Sequence, residues 1–156
     1  MELEKHIFFS IIFSLILILI GFPFQYSLIF FLSSVFIDLD HLLDYFIYHP
    51  MEIFKPVYFL KQKLNYFFSL KWYPSEKDFI LLILHSIEII FLLGFINLFL
   101  NSNILFFIFL GFSFHMFLDL IWNCFIMKDT PFLLYFISYR AIKRFNYSEL
   151  FKGVKK

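Results

Sequence analysis

Hydrophobic residues run along this chain in long, nearly unbroken stretches rather than as a stripe on one side of each helix. Four stretches are long enough to cross a bilayer as helices, which takes about 20 residues: roughly 7–24, 26–48, 79–100 and 104–127. Gly21 and Pro23 punctuate the first break, and Asn101-Ser102-Asn103 fills the last one. Connections this short join the first two and the last two helices into hairpins. Between the hairpins, residues 49–78 mix Lys with Phe, Tyr and Trp72, which is the character of an interfacial segment. The tail, 128–156, has the same character. From Pro131 to Phe145 it reads as an apolar interfacial helix with Arg140, Lys143 and Arg144 spaced along it. Nothing divides the chain into units. The expectation is one all-α, polytopic membrane domain over residues 1–156, with four transmembrane helices in two hairpins, an interfacial loop and a C-terminal amphipathic helix.

Composition agrees with the pattern. Of 156 residues, 62% are hydrophobic, 25% aromatic and only 16% charged, and the mean hydropathy is +0.83. A soluble domain of this size has too little interior to hide so much apolar side chain, so a soluble monomer is excluded. A net charge of +1 gives no global pull toward nucleic acid. The single Cys124 excludes an intramolecular disulfide and any CxxC motif. The opening Met1-Glu2-Leu3-Glu4-Lys5 is not the basic start of a secretory signal, so the first apolar run is expected to stay as a span. All 13 Lys and Arg fall in the N-terminus, the long loop or the tail. Four spans put those three segments on one side, and the positive-inside rule makes that side cytoplasmic. The Lys side chains there are expected to meet anionic headgroups of the lipid bilayer.

The chemistry lies inside the spans. They hold five carboxylates, Asp38, Asp40, Asp44, Glu88 and Asp119, with His41, His85 and His115, and His6 stands at the entrance of the first. None of the spans contains Lys or Arg. A buried carboxylate costs several kcal/mol unless it is protonated or paired, so the partners here must be His, protons, water or a bound metal. Asp38 and His41, and likewise His85 and Glu88, are three residues apart, and His115 and Asp119 are four apart. Within a helix each such pair shares a face. Gly111 sits one turn before His115, where a small residue lets another helix approach. At ~1.5 Å rise per residue, Asp38, His85, Glu88, His115 and Asp119 all come to lie about 8–14 Å below the cytoplasmic face. One shared layer points to one site. Mixed His and carboxylate donors suit zinc, manganese or iron, and so many candidates suggest two or three divalent ions, as in sites that activate water and clamp a phosphoryl group. The candidate ligands are His6, Asp38, Asp40, His41, His85, Glu88, His115 and Asp119. Asp40 and Asp44 could instead hydrogen-bond the ligands or cap the helix end. His49, beside Pro50, is read as a loop residue and left out, and Cys124 as packing.

The order of these elements also resembles a known family. His6 before an apolar run, Asp38-Leu39-Asp40-His41, His85-Ser86 and His115-Met116-Phe117-Leu118-Asp119 are similar to the motifs of the LexA-binding, inner membrane-associated metal-dependent hydrolases. The resemblance covers roughly residues 5–122. More distantly, that family is similar to the zinc-dependent phospholipase C and P1 nuclease superfamily, whose helices hold three zinc ions through His and Asp. The resemblance implies phosphoester hydrolysis at an inner-membrane site. Two positions depart from it: Ile37 stands where the family commonly has Pro, and Ile80-Leu81-Leu82 where it has a His-Arg-Gly stretch.

Together these features lead to a membrane-embedded, metal-dependent hydrolase of a phosphoester, with a lipid as one candidate substrate. Glu88 or Asp44 would serve as general base. The alternatives are a small metal or proton transporter, in which the same residues form a relay, and a non-catalytic metal-stabilised membrane module. The ionisable layer stops about halfway across the bilayer, which favours the enzyme.

Overall fold

The computed structural model describes residues 3–48, 80–126 and 130–151, and these are mainly helical with no β-strand among them. The expected interfacial loop with Trp72, and His49 with it, lies outside the described residues. Helix α1 (Leu3–Leu19) ends in a tight reversal. Gly21 takes φ +99°, its N–H donates to the Ile18 carbonyl, and the Phe22 N–H reaches back to Leu17, each at 3.0 Å. This paired closure needs a left-handed residue, which glycine supplies without strain. Pro23 then leads into α2 (Phe24–Phe36).

The second apolar stretch, expected as one helix over 26–48, is interrupted. After α2 the chain turns at Ile37 and Asp38 and resumes as α3 (Leu39–Tyr48). At the break, the N–H groups of Asp38, Asp40 and His41 each bond the carbonyl three residues back, at 3.1–3.3 Å. That tighter winding replaces the regular four-residue spacing.

The third stretch also departs from expectation. Helix α4 (Ile87–Leu100) begins only after Ser86, and residues 80–86 are non-helical. The backbone N–H groups of Leu81, Leu82, Leu84 and His85 are taken instead by the carboxylates of Asp44 and Asp40, which removes the donors a helix would have used. Asn101, at φ 46°, closes α4 in the left-handed conformation and starts the short turn to α5 (Asn103–Asp119). The helix continues past Asp119 in a wider π-helical winding, Leu120–Ile126. Together Asn103–Ile126 form the one helix among the described residues that is long and apolar enough to cross a membrane.

The tail is less regular than a single amphipathic helix. It forms a 3₁₀ turn (Phe132–Tyr135), a short α6 (Ile137–Ile142) and a final turn, α7 (Tyr147–Leu150).

Helix α5 packs most extensively on α2, with α1 against α2 and α4 against α5. Gly111 makes the α2–α5 approach close. A Cβ there would run into Ser33 Oγ and come within 2.7 Å of the Phe30 carbonyl oxygen. One half of the interior is aromatic, with Phe30 and Phe107 surrounded by Phe13, Phe114 and Tyr26. The other half is polar, and large apolar side chains such as Phe8, Leu15, Phe91, Phe95, Leu98 and Phe99 point outward.

Candidate metal centre

The polar half of the interior is a cluster of His and Asp drawn from five places in the chain. His6 comes from the first turns of α1, Asp38 from the break between α2 and α3, and His41 from α3. His85 comes from the non-helical segment before α4, and His115 and Asp119 from one face of α5. All six are buried. Possible ligand atoms fall into three overlapping groups, each within 4.8 Å: His6, Asp38 and His115; Asp38, His41 and His85; and His85, His115 and Asp119.

The distances show how tightly the groups interlock. Asp38 Oδ1 lies 3.4 Å from His85 Nε2 and 3.5 Å from His115 Nε2. Asp119 Oδ2 is 3.8 Å from each of the same two nitrogens, while its Oδ1 is 3.0 Å from His6 Nε2. The rings of His6 and His115 stack with centroids 3.9 Å apart. The His41 ring meets His85 edge-on at 4.8 Å.

A backbone contact fixes which nitrogen of His115 carries a proton. His115 Nδ1 is 2.8 Å from the Ser34 carbonyl oxygen, which can only accept, so Nδ1–H donates and the neutral ring presents a lone pair at Nε2. His85 Nδ1 lies 3.5 Å from Asp40 Oδ2 and its Nε2 faces Asp38 and Asp119, so this ring is held between acids on both sides. The two Nε2 atoms are 3.3 Å apart. Two imidazole nitrogens and two carboxylate oxygens thus converge on one small volume, while buried Asp38 Oδ2 and His6 Nδ1 have no hydrogen bond there. Such a set of nitrogen and oxygen atoms fits a cation, and backbone or carboxylate support of the distal ring nitrogen is the usual companion of a metal-bound His. These buried groups can hold a metal ion.

Of the other acidic candidates, Asp40 and Asp44 support the site from behind, the alternative reading given for them, and Glu88 lies apart. Asp40 accepts hydrogen bonds from the backbone N–H of His85, at 3.0 Å, and of Leu84. Asp44 accepts from Leu81 at 2.9 Å and from Leu82 at 3.3 Å. Both hold the segment that carries His85. Glu88 is turned away altogether. Its oxygens accept from Ser86 Oγ and Ser138 Oγ, each at 2.7 Å, and from the N–H groups of Ile137 and Ser138, each at 3.0 Å. The expected shared face of His85 and Glu88 fails because the helix starts between them. This geometry does not support the general-base roles expected of Glu88 and Asp44, since Glu88 accepts from Ser86, Ile137 and Ser138 and Asp44 from the backbone of Leu81 and Leu82.

Arg140 is the residue that sequence reasoning placed wrongly. It was expected at the interface, yet it is fully buried. Its Nη1 donates to the Leu82 carbonyl at 2.7 Å and its Nη2 to the His85 carbonyl at 3.3 Å. The one available signal was its place within an otherwise apolar stretch.

No protein-family model, curated protein or solved structure matches the chain.

Proposed function

We propose that the chain is a multi-pass membrane protein of four spans, with both termini cytoplasmic, whose buried centre makes it a metal-dependent hydrolase of a phosphoester. The observation that carries the metal reading is the convergence of Asp38 Oδ1 and Asp119 Oδ2 on His85 Nε2 and His115 Nε2, each oxygen 3.4–3.8 Å from both nitrogens, which are themselves 3.3 Å apart. Only nitrogen and oxygen donors are present, which suits zinc, then manganese or iron. His6, Asp38, His41, His85, His115 and Asp119 would hold two or three ions, with Asp38, His85 and His115 each shared between two groups. When bound, the metal supplies a Lewis acid that activates water and polarises a phosphoryl oxygen. Asp38 Oδ2, buried and unbonded among the described residues, would be the oxygen available to hold a proton taken from water. The family resemblance supports the phosphoester, and the outward apolar side chains support a lipid environment.

The test uses full-length protein purified in detergent without chelator. Metal content is measured first, and then turnover of phosphomonoesters, phosphodiesters and phospholipids, with wild type beside Asp38→Asn. Turnover by wild type and none by the variant is expected. Bound metal without turnover on any ester would favour a structural centre, and metal-dependent cation flux in liposomes would favour a transporter.

A further inference from the structure

The segment Ile80–Ser86 is irregular backbone that passes through the interior, with Ile80, Leu82, His85 and Ser86 all buried. Buried irregular backbone must find partners for its N–H and C=O groups outside itself. On one side, Asp40 and Asp44 of α3 accept from its N–H groups. On the other, Arg140 donates to the carbonyls of Leu82 and His85, and the Ile80 N–H donates to the Phe145 carbonyl at 2.7 Å. The segment is therefore gripped between two carboxylates and one guanidinium.

The grip is reciprocal. Glu88, just after the segment, takes the first N–H groups of α6, the short helix that carries Arg140. A carboxylate at a helix N-terminus satisfies donors that have no partner within the helix. Strained backbone marks both ends of the contact: Leu82 has φ +40°, and Arg144 and Phe145 have φ +54° and +56°. Non-glycine residues keep such angles only where their surroundings enforce them.

We propose that Arg140 is a positioning residue of the metal centre: through the Leu82 and His85 carbonyls it sets the segment so that His85 Nε2 faces Asp38, His115 and Asp119. The inference rests on the metal reading above, and it makes the C-terminal segment part of the site rather than an interfacial appendage. Arg suits the task because its planar fork presents two donors at fixed separation, which a lysine ammonium does not.

The experiment compares full-length wild type, Arg140→Gln, Arg140→Lys and the control Lys143→Gln, each stripped of metal and titrated with Co²⁺. Helical circular dichroism checks that each variant folds. Outer partners of metal ligands typically contribute about 10–100-fold in affinity. Arg140→Gln is expected to lose that much and to shift the visible Co²⁺ band, with Arg140→Lys intermediate and Lys143→Gln like wild type. In parallel, diethylpyrocarbonate labelling of the metal-free proteins reads His85 by peptide mapping. His85 should be protected in wild type and labelled in Arg140→Gln. A wild type that binds no Co²⁺ would refute the metal reading, and the labelling would still decide the role of Arg140. Arg140→Gln with wild-type Co²⁺ affinity and band, or with His85 still protected, overturns the proposal.

Discussion

His85 and His115 face each other through their Nε2 atoms at 3.3 Å, and His115 cannot be the donor because its proton is held at Nδ1 by the Ser34 carbonyl. Asp38 Oδ1 lies within 3.5 Å of both nitrogens. A metal ion among these atoms would replace a proton shared between the two nitrogens and would offset the carboxylate charge beside them. Protein purified without chelator should therefore carry at least one zinc, manganese or iron ion per chain by elemental analysis. A ligand that binds only the folded state, at a hundred times its Kd, stabilises by about 2.7 kcal/mol. EDTA should accordingly lower Tm by several degrees, at about 2–4 °C per kcal/mol for a chain of this size. Metal-free protein that melts identically with and without EDTA would remove the centre.

Asp38 and Asp44 separate ligand from scaffold. Asp38 approaches both histidine nitrogens, whereas Asp44 accepts from the backbone of Leu81 and Leu82. Asp38→Asn should reduce bound metal more than tenfold in equilibrium dialysis. Asp44→Asn keeps one acceptor oxygen and should retain metal, while losing about 1–3 kcal/mol of stability from imperfectly paired buried amides. Equal metal loss in the two variants would contradict this division of labour.

The same division shows what the sequence could and could not reveal. Asp38, His115 and Asp119 were legible because they stand out in otherwise apolar stretches, the last two four residues apart on one helix face, and the structure brings them to the same group of histidines. Glu88 was misplaced because the apolar run over 79–100 looks continuous, while the helix starts only at Ile87. That start is decided by Asp40 and Asp44, carboxylates about forty residues earlier in the chain that capture the N–H groups of the segment. Hydropathy cannot register a long-range competition for backbone donors. Arg140 was hidden for a related reason. A cation in a tail normally seeks the surface, whereas here Arg140 is drawn inward to the buried carbonyls of that same irregular segment.

Gly111 predicts a coupling between packing and the site. A Cβ there would meet the Phe30 carbonyl oxygen at 2.7 Å and the Ser34 nitrogen at 3.0 Å, and neither backbone atom can rotate away. Ser34 also supplies the carbonyl that orients His115. Gly111→Ala should cost about 1–3 kcal/mol, the usual range for overpacking, and should weaken metal binding as α2 is pushed from α5. Gly94→Ala is the contrast, since its Cβ would meet only the Phe109 ring, at 3.0 Å. Thermal melts and Co²⁺ titrations of both variants check the difference. A Gly111→Ala protein as stable as Gly94→Ala would show that the close approach is not required.

The proposed topology makes the last prediction. The turn at Asn101, Ser102 and Asn103 carries no charge, and all 13 Lys and Arg lie in the N-terminus, residues 49–78 or the tail. Retention of positive segments on the cytoplasmic side would leave that turn on the outside. The irregular segment 80–86 fits the same picture, because non-helical backbone at membrane depth survives only where protein satisfies its polar groups, and here Asp40, Asp44 and Arg140 do so. With Cys124 replaced by Ser, Ser102→Cys should react with a membrane-impermeant maleimide added to intact cells. A cysteine at Ser148, exposed in the tail, should react only after the membrane is opened. Labelling of Ser102→Cys solely from the cytoplasmic side would invert the orientation, and with it the side from which a substrate could reach His85 and Asp38.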